Sequence, residues 1–296
     1  MSAAGWSRDW PAPAKLNLFL HVVGRRADGY HELQTLFQII DLQDTLAFRV
    51  RADAGLERLA GAAGVDPRQD LVIRAARRLQ EASGCALGAD ITVEKRIPMQ
   101  GGLGGGSSDA ATTLVALNEL WGLHWPLEDL ASLGLALGAD VPVFVLGRSA
   151  WAEGVGEVLT PVDLPPAWYA VIRPNATVPT AEVFQAPELT RNTPTTTIRG
   201  FLLTGGRNDC APVVVARHAD VGRALEWLGQ RGEARLTGTG SCVFAAFGDR
   251  AGAAAALAGL PAGWLGFVAQ GLDHSPLSGR AAAERQARAA GRGADR

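Results

Sequence analysis

Gly101-Gly102-Leu103-Gly104-Gly105-Gly106-Ser107-Ser108 joins an alternating apolar segment (Ile91, Val93, Ile97) to a helical stripe (Ala110, Ala111, Leu114, Leu117, Trp121). Glycine has no Cβ, so such a loop turns freely and lets its backbone approach a ligand closely. A helix opening near Ser107 and stopping at Gly122 aims unpaired N–H groups, and the positive end of its dipole, at the same place. Loop and helix end together make an anion site suited to phosphate. Ser107 and Ser108 add hydroxyls that suit a phosphate or a metal. The pattern is neither of the two common phosphate loops. A GxxxxGK[ST] loop requires a lysine that this segment lacks. A GxGxxG fingerprint started at Gly102 meets Ser107 where its last glycine belongs. Asp109, in the first helical turn, favours the helix but repels phosphate.

Upstream, Ala14 to Val22 alternates, with Leu16, Leu18, Leu20 and Val22 on one side and Lys15, Asn17, Phe19 and His21 on the other. The period predicts a strand with one buried face. A lone lysine on the second face commonly meets solvent, but Asn17 and His21 beside it raise the case for a site. Leu33–Asp41 and Asp44–Arg51 read as two further strands, and Asp70–Ala82 and Leu127–Gly138 as helices. Val141 to Leu146 is wholly apolar and reads as a buried strand, with Asp140 wedged before it. A carboxylate in that position needs a partner. It is either a turn residue bonding local N–H groups or a general base, or a partner of Lys15, acting on a hydroxyl. Leu236 to Phe244 holds a second glycine turn, in which Cys242 reads as a small packing residue.

Proline density rises over Thr160–Pro166. A boundary there divides the chain into an N-terminal domain, 1–163, and a C-terminal domain, 164–283, with 284–296 expected to be a flexible Ala/Arg/Gly-rich tail. The second part carries strand patterns at Trp168–Arg173 and Ser241–Phe247, and helical ones at Cys210–Arg217, Asp220–Arg231 and Arg250–Ala258. Strands and helices without regular βαβ alternation predict an α+β fold.

Composition narrows the function. A net charge of -2 and 6% aromatic residues, with no basic patch, argue against nucleic acid as a partner. No apolar run is long enough to span a bilayer and the N-terminus has no signal-peptide pattern, so the chain is expected to be cytoplasmic and free of membrane. Three separated cysteines give neither a disulfide framework nor a metal pair. The histidines make no HExxH, and no GxSxG elbow is present.

Three segments occur in the order in which the GHMP kinase superfamily carries its motifs: Pro13-Ala14-Lys15-Leu16-Asn17-Leu18, Pro98 to Ser108, and Leu236 to Phe244. The chain resembles that superfamily. Arg26 to His31, Leu137 to Phe144, Glu153 to Glu157, Pro187 to Pro194 and Asn208-Asp209-Cys210 narrow the resemblance to its branch that phosphorylates a cytidine-diphosphate-linked methylerythritol. The resemblance implies a two-domain α+β GHMP kinase fold with the active site in the cleft between domains. It implies ATP as phosphoryl donor, with Mg2+, and a monomer or homodimer acting on a small molecule. By position, Asp140 and Lys15 match the catalytic pair, and Pro98, Met99, Gln100, Gly101, Gly102, Leu103, Gly104, Gly105, Gly106, Ser107 and Ser108 the ATP-phosphate loop. Tyr30, His31, Thr180 and Phe184 match residues around the cytidine, with Tyr30 and Phe184 placed to sandwich a flat pyrimidine. Asn17 matches a polar residue near the acceptor. Asp70 stands where relatives often carry asparagine, and Gln100 where glycine is common. A kinase for another small alcohol, of homoserine or mevalonate type, and a non-catalytic nucleotide-binding module are the alternatives.

Overall fold

Two long strands organise the molecule. In the computed structural model, which describes residues 5–61 and 69–294, β1 (Trp6–Arg25) and β2 (His31–Arg51) pair antiparallel from Trp6↔Arg49 to Arg25↔His31. The two strands expected over 33–51 are therefore one. Asp44 lies beside an irregularity in the register, between Pro13 and Ala14 on β1. A bulge there bends the strand without ending it.

β1 is also buried on both faces. Leu16 and Val22 are fully enclosed, as expected, but so are Lys15, Asn17 and Phe19 on the side read as polar. Alternation identifies the strand correctly but cannot tell a solvent face from an internal polar site. The difference is made by what packs above it, which period alone does not encode.

β3 (Leu56–Ala60), α1 (Leu71–Ser83) and β4 (Gly88–Glu94) follow. α1 begins at its cap, Asp70, whose side chain accepts from Val72 N at 3.0 Å. The same carboxylate is ion-paired to Arg58. α2 (Gly105–Leu120) is the central helix. Small and apolar residues surround it on all sides, so it is buried all round instead of along one stripe. α3 (Leu127–Leu135) and α4 (Val141–Leu146) pack against it.

α4 corrects the strand expected over the same six residues. An unbroken apolar run of that length does not distinguish the two states. Pro142 suits a first helical turn and donates nothing to a sheet. Gly147, at φ 67°, supplies the left-handed stop.

The remaining elements are β5 (Ala150–Glu153), β6 (Val158–Pro161), β7 (Trp168–Arg173), α5 (Thr180–Gln185), α6 (Ile198–Thr204), α7 (Ala211–Arg217), α8 (Ala219–Gly229), β8 (Arg235–Leu236), β9 (Val243–Phe247), α9 (Arg250–Ala256), β10 (Leu265–Leu272) and α10 (Pro276–Ala294). Strands run in the order β3-β4-β2-β10-β7-β9-β8, with β1 and β5 also paired to β2 and β6 to β5. β10 thus sits between β2 of the first half and β7 of the second. One apolar core gathers around α2, and another lies between the β7–β9 sheet and helices α7, α8 and α9.

The expected tail from 284 lies within α10, which is helical through Ala294. It returns to the start of the chain. Glu284 accepts from Ser7 Oγ at 3.0 Å, Arg280 lies 4.3 Å over the Trp10 ring, and Arg285 is ion-paired to the buried Glu119 of α2. Among the described residues no helix is long and apolar enough to cross a membrane.

Candidate active site

The glycine loop is held open by its own backbone. Gln100 (φ 56°), Gly102 (φ 74°) and Gly104 (φ 73°) all take left-handed conformations. A Cβ on Gly102 collides with the Thr237 carbonyl, and one on Gly104 meets the Phe144 ring at 2.8 Å. Gly104 caps α2 with no side-chain hydrogen bond, so the first N–H groups of the helix lack a side-chain partner. The second glycine turn is fastened alongside. Cys242 N donates to Gly101 O at 3.1 Å, Ser241 N to Gln100 O at 3.3 Å, and Thr237 Oγ1 to Gly102 O at 3.1 Å. Asn208 holds the turn from behind through Nδ2, which donates to the carbonyls of Leu236 and Gly238, both at 2.8 Å. Burial pushes the Cys242 thiol up to about 12, which keeps it an inert packing group.

β1 runs against this loop, and Lys15 N donates to Leu103 O at 3.0 Å. The Lys15 ammonium reaches Asn17 Oδ1 at 2.5 Å, Gly102 O at 3.2 Å and Asp140 Oδ2 at 3.3 Å. It also lies 5.3 Å from the centre of the Phe37 ring. Asn17 in turn donates through Nδ2 to Thr35 Oγ1 at 2.9 Å. Asp140 is the residue just before α4, and no backbone N–H is capped by its side chain. The turn-aspartate reading therefore has no bond to support it, whereas the ion pair with Lys15 is present.

Beneath the loop, Lys95 settles the repulsion that Asp109 poses. Its Nζ lies 2.5 Å from Asp44 Oδ2 and 2.7 Å from Asp109 Oδ2. Asp44 also accepts from Arg96 N and Ile97 N at 2.5 and 2.8 Å, which fixes the chain entering the loop. Burial opposes the Lys95 charge, but the two carboxylates more than offset it and hold the ammonium above its ordinary range. Burial also pushes Asp109 up to about 7; Lys95 works against that shift, and the Asp44 carboxylate adds to it. The acid thus faces an ammonium and is not left to oppose a bound phosphate.

At the far end of the cavity, His31 opens β2 and its ring stacks on Phe184 of α5, with centroids 5.2 Å apart and planes at 29°. Tyr30 beside it is 65% exposed. Phe184 therefore has His31 as its ring neighbour, and Tyr30 stands exposed at the rim. Thr180, on the same helix, shares a 3.0 Å hydrogen bond with Thr239 of the second glycine turn. Arg191 donates to His31 Nε2 at 3.1 Å.

These groups share one cavity of about 1010 Å³, built from both halves of the chain. Lys15, Asn17, Tyr30, His31, Pro98 to Ser107, Asp140, Thr180 and Phe184 all line it. Ser108 does not. Its N–H is spent on Gly104 O at 2.9 Å, and its hydroxyl is buried behind the loop without a hydrogen-bond partner among the described residues. Asp70, Lys95, Asp109 and Thr239 line the cavity as well. The sequence reading gives no role to Lys95, nor to Arg191, which it meets only within the segment Pro187 to Pro194. The one available signal was the unexplained acid at Asp109, which called for a cation nearby.

The GHMP kinase N-terminal domain model matches residues 70–148, and the GHMP kinase C-terminal model residues 200–264. A 4-diphosphocytidyl-2-C-methyl-D-erythritol kinase from Alkalilimnicola ehrlichii is 59% identical over 275 residues, 93% of this chain and 94% of that protein. The chain belongs to the 4-diphosphocytidyl-2-C-methyl-D-erythritol kinase family. A second member of this kinase family, from Halorhodospira halophila, is 59% identical over 90% of the chain and 94% of its own length. A crystal structure of a 4-(cytidine 5'-diphospho)-2C-methyl-D-erythritol kinase superposes with a TM-score of 0.76 at 36% identity, covering 90% of this chain and 98% of that one. Mevalonate kinase from Methanococcus jannaschii, at 15% identity and a TM-score of 0.64, shares the fold alone. Membership of this kinase family makes the chain a phosphotransferase with an α+β GHMP fold, in agreement with the expectation from its motifs.

Proposed function

We propose that the chain transfers the γ-phosphoryl group of ATP to the 2-hydroxyl of 4-diphosphocytidyl-2-C-methyl-D-erythritol, a step of the non-mevalonate route to isoprenoid precursors. The observation that carries this reading is the Lys15–Asp140 pair, 3.3 Å apart, on the wall of a cavity that also holds the glycine loop. Phosphoryl transfer asks the protein for positioning and charge stabilisation above all. The loop and the uncapped N-terminus of α2 supply N–H groups for the triphosphate. Asp140 accepts the proton of the attacking hydroxyl as its oxygen bonds to the γ-phosphorus and the bond to the bridging oxygen of ADP breaks. Lys15 orients Asp140 and offsets charge on the transferred group.

Among the described residues no cluster of three or more His, Cys, Asp or Glu could hold a metal. A magnesium ion carried by the nucleotide phosphates would need few protein ligands. Asp140 is the carboxylate on the cavity wall best placed to face it, and the ion would supply further charge neutralisation there. Ser107 takes the loop's hydroxyl role in place of the inward-turned Ser108.

The His31–Phe184 stack, with Tyr30 able to cover it, offers aromatic surface for a cytosine ring, and Thr180 and Asn17 offer polar contacts nearer the acceptor. This pairing of an aromatic platform with a phosphate loop favours a nucleotide-linked alcohol over a bare one. The test is a panel of alcohols with ATP, read as ADP release. Turnover is expected with the cytidine-diphosphate-linked methylerythritol and not with homoserine or mevalonate. Equal turnover of either bare alcohol would overturn the reading.

A further inference from the structure

Arg191 follows α5 and makes four hydrogen bonds with one guanidinium. Its two terminal nitrogens donate to the carbonyls of Leu189 (3.0 Å), Phe184 (3.0 Å) and Ala186 (2.7 Å), and its Nε donates to His31 Nε2 at 3.1 Å. Two of those carbonyls lie at the C-terminal end of α5, where helical backbone has no partner of its own. One residue therefore holds both members of the aromatic platform, Phe184 by its backbone and His31 by its ring.

The chemistry of this contact has only one form. Arginine has five donors and no acceptor, and it does not lose its proton in proteins. His31 Nε2 can only accept from it, so that nitrogen carries no hydrogen. The ring is then neutral and its single N–H lies on Nδ1. Burial, and the nearby Arg191 and Arg25 charges, push His31 down and away from the imidazolium. Among the described residues no other group bonds either ring nitrogen of His31.

We infer that Arg191 is a positioning residue that locks His31 as the neutral Nδ1–H tautomer, so that the aromatic end of the cavity selects flat heteroaromatic rings offering a lone pair. A ring that presents only donors, or a cationic one, is disfavoured at the same place. Cytosine, with its O2 and N3 acceptors, meets the requirement. That identity rests on the proposed function, while the tautomer lock does not.

The experiment is long-range 1H–15N correlation on the full chain labelled with 15N-histidine, with His31 assigned by the signal missing from His31→Gln. The wild-type chain is expected to show a protonated Nδ1 and an unprotonated Nε2 at neutral pH, and an imidazolium only below the ordinary histidine pKa of about 6.5. Arg191→Met is expected to release the ring to the other tautomer and to raise the KM for the cytidine-linked substrate about tenfold, with kcat within about twofold, as loss of uniform binding predicts. Phe184→Leu disturbs the stack and should leave the tautomer unchanged. An Nε2–H or imidazolium signal in the wild-type chain overturns the inference, even if Arg191→Met fails to fold. A flipped tautomer with an unchanged KM overturns its selectivity. An Nδ1–H signal in a chain that turns over no cytidine-linked alcohol supports the lock and sinks the substrate reading alone.

Discussion

Lys15 and Asp140 form an ion pair with unequal ends: the lysine side chain is 3% exposed and the aspartate 33%. The lysine is the buried end of the pair and the carboxylate the more open one, although both line the cavity. Asp140→Asn keeps the shape but removes the carboxylate charge that faces Lys15, and with it the proposed proton acceptor. It is expected to lower kcat by about 10²–10⁴-fold, the usual contribution of a general base, with ATP binding unchanged within about twofold. Stopped-time ADP assays beside equilibrium nucleotide binding measure both. Near-full activity of the variant would remove the general-base role.

Lys15→Met leaves Asn17, Gly102 O and Asp140 without their shared donor. A buried acceptor stripped of its partner costs about 1–3 kcal/mol. The expected result is a lower Tm together with a loss of kcat at least as large as that of Asp140→Asn, seen by calorimetry and ADP release. A variant with a lower Tm but normal turnover would show that Lys15 is purely structural.

The glycines of the loop are not equivalent. Gly102 has φ 74° and no room for a Cβ beside the Thr237 carbonyl, whereas an added Cβ on Gly106 meets only Leu71 Cδ1, at 3.4 Å. Gly102→Ala should destabilise the chain by at least about 1–2 kcal/mol, from left-handed strain before the clash is added. Gly106→Ala lies within α2, where alanine is the better helix former by roughly 0.5–1 kcal/mol. Its Tm should equal or exceed that of the natural chain. Comparable losses in both variants would refute this account of the loop.

Asp109 titrates at about 7 in the folded chain against 3.8 as its ordinary value. Between those two values the folded state holds more protons than the unfolded one, so the group's contribution to stability declines as pH rises through that window. Asp109→Asn removes the titration. Its Tm, relative to the natural chain, is expected to improve progressively from pH 4 toward pH 7. A difference independent of pH would place the charge elsewhere in the cluster.

Arg285 is 60% exposed, but its partner Glu119 is 2% exposed. Arg285→Met leaves a buried carboxylate with, among the described residues, only His124, 3.3 Å away, to face it. Discounted for the exposure of the guanidinium, the cost is about 1–2 kcal/mol, or a fall in Tm of roughly 2–6 °C. An unchanged Tm would mean that the Arg285–Glu119 pair adds nothing to the hold of α10 on the first half.

Much of this was legible in the chain itself. The glycine loop, the helix after it and β7 all have local causes: absent Cβ atoms, an apolar stripe, alternation. The pairing of Lys15 with Asp140 was one of several readings open to the residues, and the resemblance to GHMP kinases favoured it. What escaped is long-range. Lys95 and Asp44 are 51 positions apart, and Arg191 and His31 are 160 apart. No period or spacing announces such partners, because tertiary packing alone brings them together. The run Val141–Leu146 escaped for a different reason. Six apolar residues satisfy a strand and a helix equally, and the decision falls to Pro142 and Gly147 at its ends.

The place of β10 between β2 and β7 has a consequence for how the protein is made. A ribosome delivers β2 first and β7 after it, and the strand that joins them follows both. Until it does, the two halves share no continuous sheet, and the wall of Lys15, Asp140 and His31 faces Thr180, Phe184 and Thr239 across an unfinished seam. The cavity therefore reaches its final form only after Leu265–Leu272 has been made, and a nascent chain halted before Leu265 should not bind a nucleotide and an alcohol together.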